Sequence, residues 1–104
     1  MTGTVDADID YPEAMSYASG RLSNTGVIVA VLDTGIAYTH PEFAGQLWDG
    51  RDCVSDTGAY IGNCIHGYNY ASDSRDPMDD YSIYHGTHVA GTIGALGNNG
   101  TGVV

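Results

Sequence analysis

The chain has 104 residues, enough for one modest domain or for part of a larger one. Eleven aspartates and two glutamates face three arginines and no lysine, a net charge of −10, which argues against nucleic acid as a partner and favours divalent cations or a plain solvated acidic surface. No apolar run approaches membrane-spanning length, and the polar residues after Met1 lack the basic start and apolar stretch of a signal peptide.

Taken in order, residues 3–14 lead into a short helix expected to run to about Ala18, with Pro12 in its first turn and Glu13 near the positive end of its dipole. Ser19 and Gly20 are expected to end it, and Ser23 to Gly26 to form a polar turn. Residues 27–32, V-I-V-A-V-L, form a continuous apolar and mostly β-branched run, the pattern of a strand buried on both faces of a parallel sheet. Asp33 ends that run. Ligands in open α/β sheets bind outside the carboxyl ends of strands, so Asp33 stands where chemistry would occur, although an aspartate there can also simply cap a turn.

A second proline-led turn follows at residues 39–43. Cys53 and Cys64 enclose ten residues rich in turn formers and could close a disulfide loop; two separate buried thiols, or a zinc site with nearby His66, are the alternatives. Residues 66–70 carry alternating aromatics, and residues 73–80 read as an exposed acidic loop without the spacing of a calcium-binding EF-hand.

The stretch Y-H-G-T-H-V-A-G-T-I-G-A-L at residues 84–96 has Val89, Ile93 and Leu96 at helical spacing and predicts a central, buried helix with a histidine at its mouth. Gly91 and Gly94 would each cost about 1 kcal/mol against alanine in an exposed helix, so they point to close backbone approach. Thr87 is placed to cap this helix. His85 precedes the helix and is the candidate general base; its dipole favours the neutral imidazole a base requires. His88, one turn further in, reads as a hydrogen-bonded packing residue. The pair H-x-x-H lacks the glutamate and the i, i+4 spacing of a zinc hydrolase. The final valines read as the opening of a strand, so the chain is expected to be the first part of a larger domain.

Joined together, V-I-V-A-V-L-D-T-G-I and H-G-T-H-V-A-G-T resemble the subtilisin-like serine proteases, the subtilase family, peptidase family S8. The resemblance extends, less strongly, to residues 3–15 and 67–80 and is thin over residues 44–66; H-G-Y-N-Y at residues 66–70 resembles the family's G-Y-D-F strand, which implies a strand there. It implies an α/β fold, residues 1–104 being the N-terminal part of a three-layer catalytic domain with a mostly parallel sheet. It further implies a secreted serine endopeptidase in which Asp33 and His85 are catalytic, since the order aspartate, histidine, serine along the chain is that of subtilisin. No G-T-S-M-A-like segment bearing the serine, and no oxyanion-hole asparagine, occurs within these residues, so this stretch alone is expected to be inactive. Protein or peptide substrates, a propeptide inhibitor and the remainder of the catalytic domain are the implied partners. T-H-P-E-F at residues 39–43 resembles the family's T-H-P-D-L, which implies a structural calcium held by Glu42 with Asn98 and Asn99 of the loop G-N-N-G-T-G. A non-catalytic, calcium-stabilised module is the alternative.

Overall fold

A computed structural model of the chain describes residues 10–18 and 26–103. The lead-in at residues 3–9, the helix stop at Ser19 and Gly20, residues 23–25 of the polar turn and the final Val104 lie outside the described residues. In chain order these form helix α1 (Tyr11–Ala18), a 3-10 helix (Pro41–Phe43), strands β1 (Cys53–Val54) and β2 (Tyr60–Gly62), and helix α2 (His85–Gly94).

Helix α1 begins as its sequence predicts, with Glu13 in the first turn and the Ala14 N–H donating to the Asp10 carbonyl at 2.8 Å. It stays at the surface, with Tyr11 and Tyr17 exposed. Residues 27–32 differ from expectation: they lie outside any strand, and Val27 and Leu32 are 87% and 91% exposed. A parallel strand takes its hydrogen bonds from neighbours on both sides, and the described residues offer this run no such edge.

Strands β1 and β2 pair antiparallel, Cys53 opposite Gly62 and Val54 opposite Tyr60, with an irregularity between the two pairs. Ser55 and Gly58 turn the hairpin: the Ser55 N–H donates to the Ala59 carbonyl at 2.8 Å, and the Gly58 N–H to the Ser55 carbonyl at 2.9 Å. Two strands this short are marginal alone. A disulfide between Cys53 and Cys64, whose Cα atoms are 5.8 Å apart, closes the loop, and both cysteines are buried. The chain-entropy model assigns such a closure about 2–3 kcal/mol. The bond also removes the separate-thiol and zinc readings, because neither sulfur remains a thiolate.

Two loops depart from their sequence reading. Residues 66–70 do not form a strand; a single antiparallel bridge joins Asn69 to Ser74. The Asn69 side-chain oxygen accepts the N–H groups of Ala71 and Ser72, both at 3.1 Å, and turns the chain back before a ladder can extend. Within residues 73–80, Pro77 and Asp79 are buried, so the second half of the acidic loop is folded inward.

Helix α2 is not the central buried helix that its periodicity suggests. Gly86 is its buried residue among those described, and Ile93 is 55% exposed. It packs on one side against the 3-10 helix, where the Phe43 ring is buried and the Leu96 N–H donates to the Glu42 carbonyl at 2.8 Å. Gly91 and Gly94 do not mark backbone approach either: a Cβ at Gly91 would only touch the Phe43 ring, and one at Gly94 would meet open space.

Candidate active site

The close approach occurs one turn earlier, where α2 begins. Asp33 follows the apolar run and His85 opens α2, and the fold brings these residues, 52 positions apart, into contact. Nδ1 of His85 lies 2.8 Å from each of the two Asp33 carboxylate oxygens. With the proton assigned to Nδ1, the imidazole donates to both oxygens and its Nε2 is the acceptor. The Asp33 side chain is 18% exposed and the His85 side chain 64%, so the carboxylate is sheltered while the ring faces solvent. The hydrogen bond from His85, followed by one of 2.7 Å from the Thr34 N–H, holds the Asp33 carboxyl below its ordinary range.

Main chain and hydroxyls align the two elements. The Gly86 N–H donates to Thr34 Oγ1 at 2.9 Å, and the Ala37 N–H donates to Thr87 Oγ1 at 2.9 Å. Gly86 is required: a Cβ there would stand 3.0 Å from the Asp33 Cβ and run into the Gly35 carbonyl oxygen. Helix N-termini leave N–H groups without intrahelical partners. Tyr84, the residue before α2, is left-handed at φ 49° and supplies no side-chain cap. Thr34 therefore serves the Gly86 N–H, and Asp79 serves the Thr87 N–H at 3.1 Å.

Thr87 is thus not the cap its position suggested. It lies inside α2, and its hydroxyl donates to Asp79 Oδ2 at 2.6 Å while accepting from Ala37. Burial pushes the Asp79 carboxyl up, but the Thr87 hydroxyl and N–H, with smaller help from Thr34 and Tyr81, outweigh it and bring the group below its ordinary value. Asp79 escaped the sequence reading because its acidic neighbours conceal it and because it stands six positions before the helix, beyond the spacing of a local cap. His88 also departs from expectation: it is exposed, and its ring makes no hydrogen bond among the described residues.

On the other side of α2, Glu42 is 9% exposed and faces the loop after the helix. Its Oε1 accepts from Asn99 Nδ2 at 3.2 Å and from the Thr101 hydroxyl at 3.5 Å, and its Oε2 from the Val103 N–H at 3.5 Å. Gly102 lies against this carboxylate, where a Cβ would come within 2.5 Å of Oε2. Glu42 and Asn99 are therefore together, while Asn98, left-handed at φ 58°, is not among Glu42's hydrogen-bond partners.

A family model described as the subtilase family matches residues 24–104. Among curated proteins, subtilisin-like protease 1 of Plasmodium vivax is 42% identical over 82 residues, covering 73% of this chain and 13% of the relative. A thermophilic serine proteinase of Bacillus sp. (strain AK1) is 38% identical over 80 residues, 77% of this chain and 15% of the relative. An extracellular protease of Xanthomonas campestris pv. campestris is 36% identical over 115 aligned positions, 97% of this chain and 18% of the relative. The chain thus spans under a fifth of the length of these relatives. No solved structure matches it. With a family match over most of its length and a row of serine-protease relatives, this chain belongs to the subtilase family, whose fold is α/β.

Proposed function

We propose that this chain is the Asp- and His-bearing part of a subtilisin-type serine endopeptidase, its nucleophilic serine and oxyanion hole supplied by protein outside these 104 residues. The observation that carries the reading is the doubly accepted His85–Asp33 hydrogen bond, with 2.8 Å to each oxygen and the other face of the ring open. Asp33 then holds the tautomer whose Nε2 is basic and stabilises the imidazolium that forms. His85 takes the serine proton as the serine oxygen bonds to the substrate carbonyl carbon, and returns it to the leaving amine as the peptide C–N bond breaks. Water, deprotonated by the same ring, then bonds to the acyl carbon, the ester C–O bond to the serine breaks, and the ring returns the proton to the serine oxygen. The stretch alone, with neither serine nor oxyanion hole, is inactive in this reading, since even one oxyanion donor is worth about 10²–10³ in rate. Residues 27–32 belong, on the same reading, to a three-layer domain with a mostly parallel sheet, whose neighbouring strands would take up their exposed apolar side chains.

Secretion is part of the proposal, supported by the disulfide and by a relative named an extracellular protease. Peptide bonds of proteins are the substrate class, and a propeptide inhibitor the expected partner. A serine-directed fluorophosphonate should label the full-length, processed protein. Absence of both label and cleavage of denatured protein would sink the reading and leave a non-catalytic module.

A structural calcium fits the second cluster through Glu42 and Asn99. Glu42 is a buried carboxylate whose hydrogen-bond partners are neutral and distant, beside a loop whose carbonyls can turn inward. Among the described residues no three His, Cys, Asp or Glu side chains gather, so amide and main-chain oxygens would complete such a site. Asn99 would have to present its oxygen instead of its nitrogen; Asn98 would join through the same loop. Calcium would supply charge neutralisation and loop order, with no part in bond cleavage. Added calcium should raise the urea midpoint of the full-length protein and lose that effect in Glu42→Gln; equal response in both proteins rejects the site.

A further inference from the structure

We infer that Asp79 is a positioning residue that holds His85 against Asp33 through Thr87. The inference rests on the protease reading for its effect on turnover, but its structural half does not. Three observations carry it. Asp79 is 2% exposed, with both Thr87 hydrogen bonds falling on Oδ2, while Oδ1 is buried without a hydrogen bond of normal geometry. A buried carboxylate with one oxygen held only by weaker approaches from Thr34 and Tyr81 is costly to keep, so a surface aspartate would not settle there by default.

Asp79 also touches the segments that follow both members of the pair. Its own N–H donates to the Ile36 carbonyl at 3.3 Å, and the Ile36 N–H donates to the Pro77 carbonyl at 2.9 Å, so residues 77–79 are strapped to the turn that follows Asp33. Its carboxylate meanwhile grips α2 two residues after His85. Gly35 leaves the space for this strap: at φ 133° its missing Cβ would fall 3.0 Å from the Asp79 Cα.

The third observation is the state of the Thr87 hydroxyl. Its lone pair is engaged by the Ala37 N–H, so its proton must point to Asp79, and an ionised carboxylate is the partner that fixes that direction most strongly. The start of α2 has no cap of its own, because Tyr84 provides none. Remove the carboxylate, and the turn after Asp33 and the helix bearing His85 lose one of their fastenings and the Thr87 hydroxyl loses its fixed orientation, leaving the Thr34–Gly86 and Ala37–Thr87 hydrogen bonds and the pair itself to resist sliding. Displacements near 1 Å at a reacting group cost on the order of 10² in rate.

The test uses the full-length protein with Asp79→Asn, Thr87→Val and Thr87→Ser. Three quantities are read: the low-field proton signal of the His85 Nδ1–H, kcat and KM on a peptide substrate, and the urea midpoint. For Asp79→Asn and Thr87→Val we expect the signal to broaden or vanish and kcat to fall about 10- to 100-fold with KM within about twofold. Thr87→Ser, which keeps the hydroxyl, should retain signal and kcat. A signal and kcat unchanged in folded Asp79→Asn and Thr87→Val, or a kcat that falls only with the folded fraction, overturns the role and leaves an ordinary helix cap. Should Asp79→Asn not fold, Thr87→Val against Thr87→Ser decides by the same criteria. Should the wild-type protein show neither label nor turnover, the protease reading fails by itself; the proton signal, lost in Thr87→Val and kept in Thr87→Ser, still supports the positioning role, and a signal equal in both rejects it.

Discussion

The hairpin between Cys53 and Cys64 joins residues 11 positions apart by a covalent bond, whereas the junction between Asp33 and His85 joins residues 52 positions apart by hydrogen bonds alone. Closing the longer loop costs more chain entropy, though only by about 1.4 kcal/mol on the logarithmic scale of loop closure. What differs more is how each region responds to change. The hairpin is fixed by one covalent bond, and none of its residues hydrogen-bonds to Asp33 or His85 among the described residues, so it answers to stability. At the junction, polar contacts from Thr34, Ala37, Asp79, Gly86 and Thr87 share the work, and each sets the aim of a side chain as much as the stability of the fold.

The sharpest division would come from His85→Ala in the full-length protein. Turnover should drop on the order of 10⁶, the size known for triad members of subtilisin, with the urea midpoint little changed. Near-normal turnover would remove the junction's claim to function.

Gly86→Ala should come next. Alanine is favoured over glycine by about 1 kcal/mol inside a helix, yet here its methyl meets main-chain oxygen, which cannot swing aside as a side-chain tip would. We expect a net loss of about 1–3 kcal/mol and a fall in kcat on the order of 10², both from the displaced helix start. A more stable, fully active variant would show that the approach of α2 to Gly35 is looser than described.

Reduction of Cys53–Cys64 should do the reverse, lowering stability by about 2–3 kcal/mol while kcat per folded molecule stays constant. Urea melts with and without reductant, paired with active-site titration, read both quantities. A loss of kcat in the folded, reduced protein would mean that the two regions are coupled.

The smallest effect belongs to His88→Gln. With its ring exposed and without hydrogen bonds among the described residues, it should change stability by less than about 0.5 kcal/mol and leave turnover intact. A loss of 1 kcal/mol or more would restore the packing role that its sequence position suggests.

Legibility in the sequence followed how local each determinant is. The start of helix α1 and the closing of the Cys53–Cys64 loop rest on proline, cysteine and spacing within a few residues, and they stand as read, whereas α2 begins at His85 itself and without the Thr87 cap. That Asp33 and His85 would meet was legible from two long motifs. The same reasoning overstated burial: the apolar periodicity of α2 and the β-branched run at residues 27–32 report what such segments can bury, while their actual burial depends on partners elsewhere. Asp79 and Thr87 stayed hidden for a related reason, since a hydrogen bond between a loop carboxylate and a helical hydroxyl leaves no period or motif.

The left-handed Tyr84 has a consequence for how this protein can vary. Because Thr34 and Asp79 secure N–H groups of the first turn of α2 from outside, the side chains of residues 80–84 are not needed as a cap, and the segment contributes through its main chain, the Tyr84 carbonyl accepting from the His88 N–H at 3.0 Å. This segment is fully at the surface, with Tyr81 65% and Ile83 80% exposed, and it lies directly against the histidine. Side-chain exchanges there that keep the Tyr84 carbonyl on the His88 N–H and the Tyr81 main chain beside Asp79 are expected to alter the surface next to the histidine while the Asp33–His85 geometry stays in place.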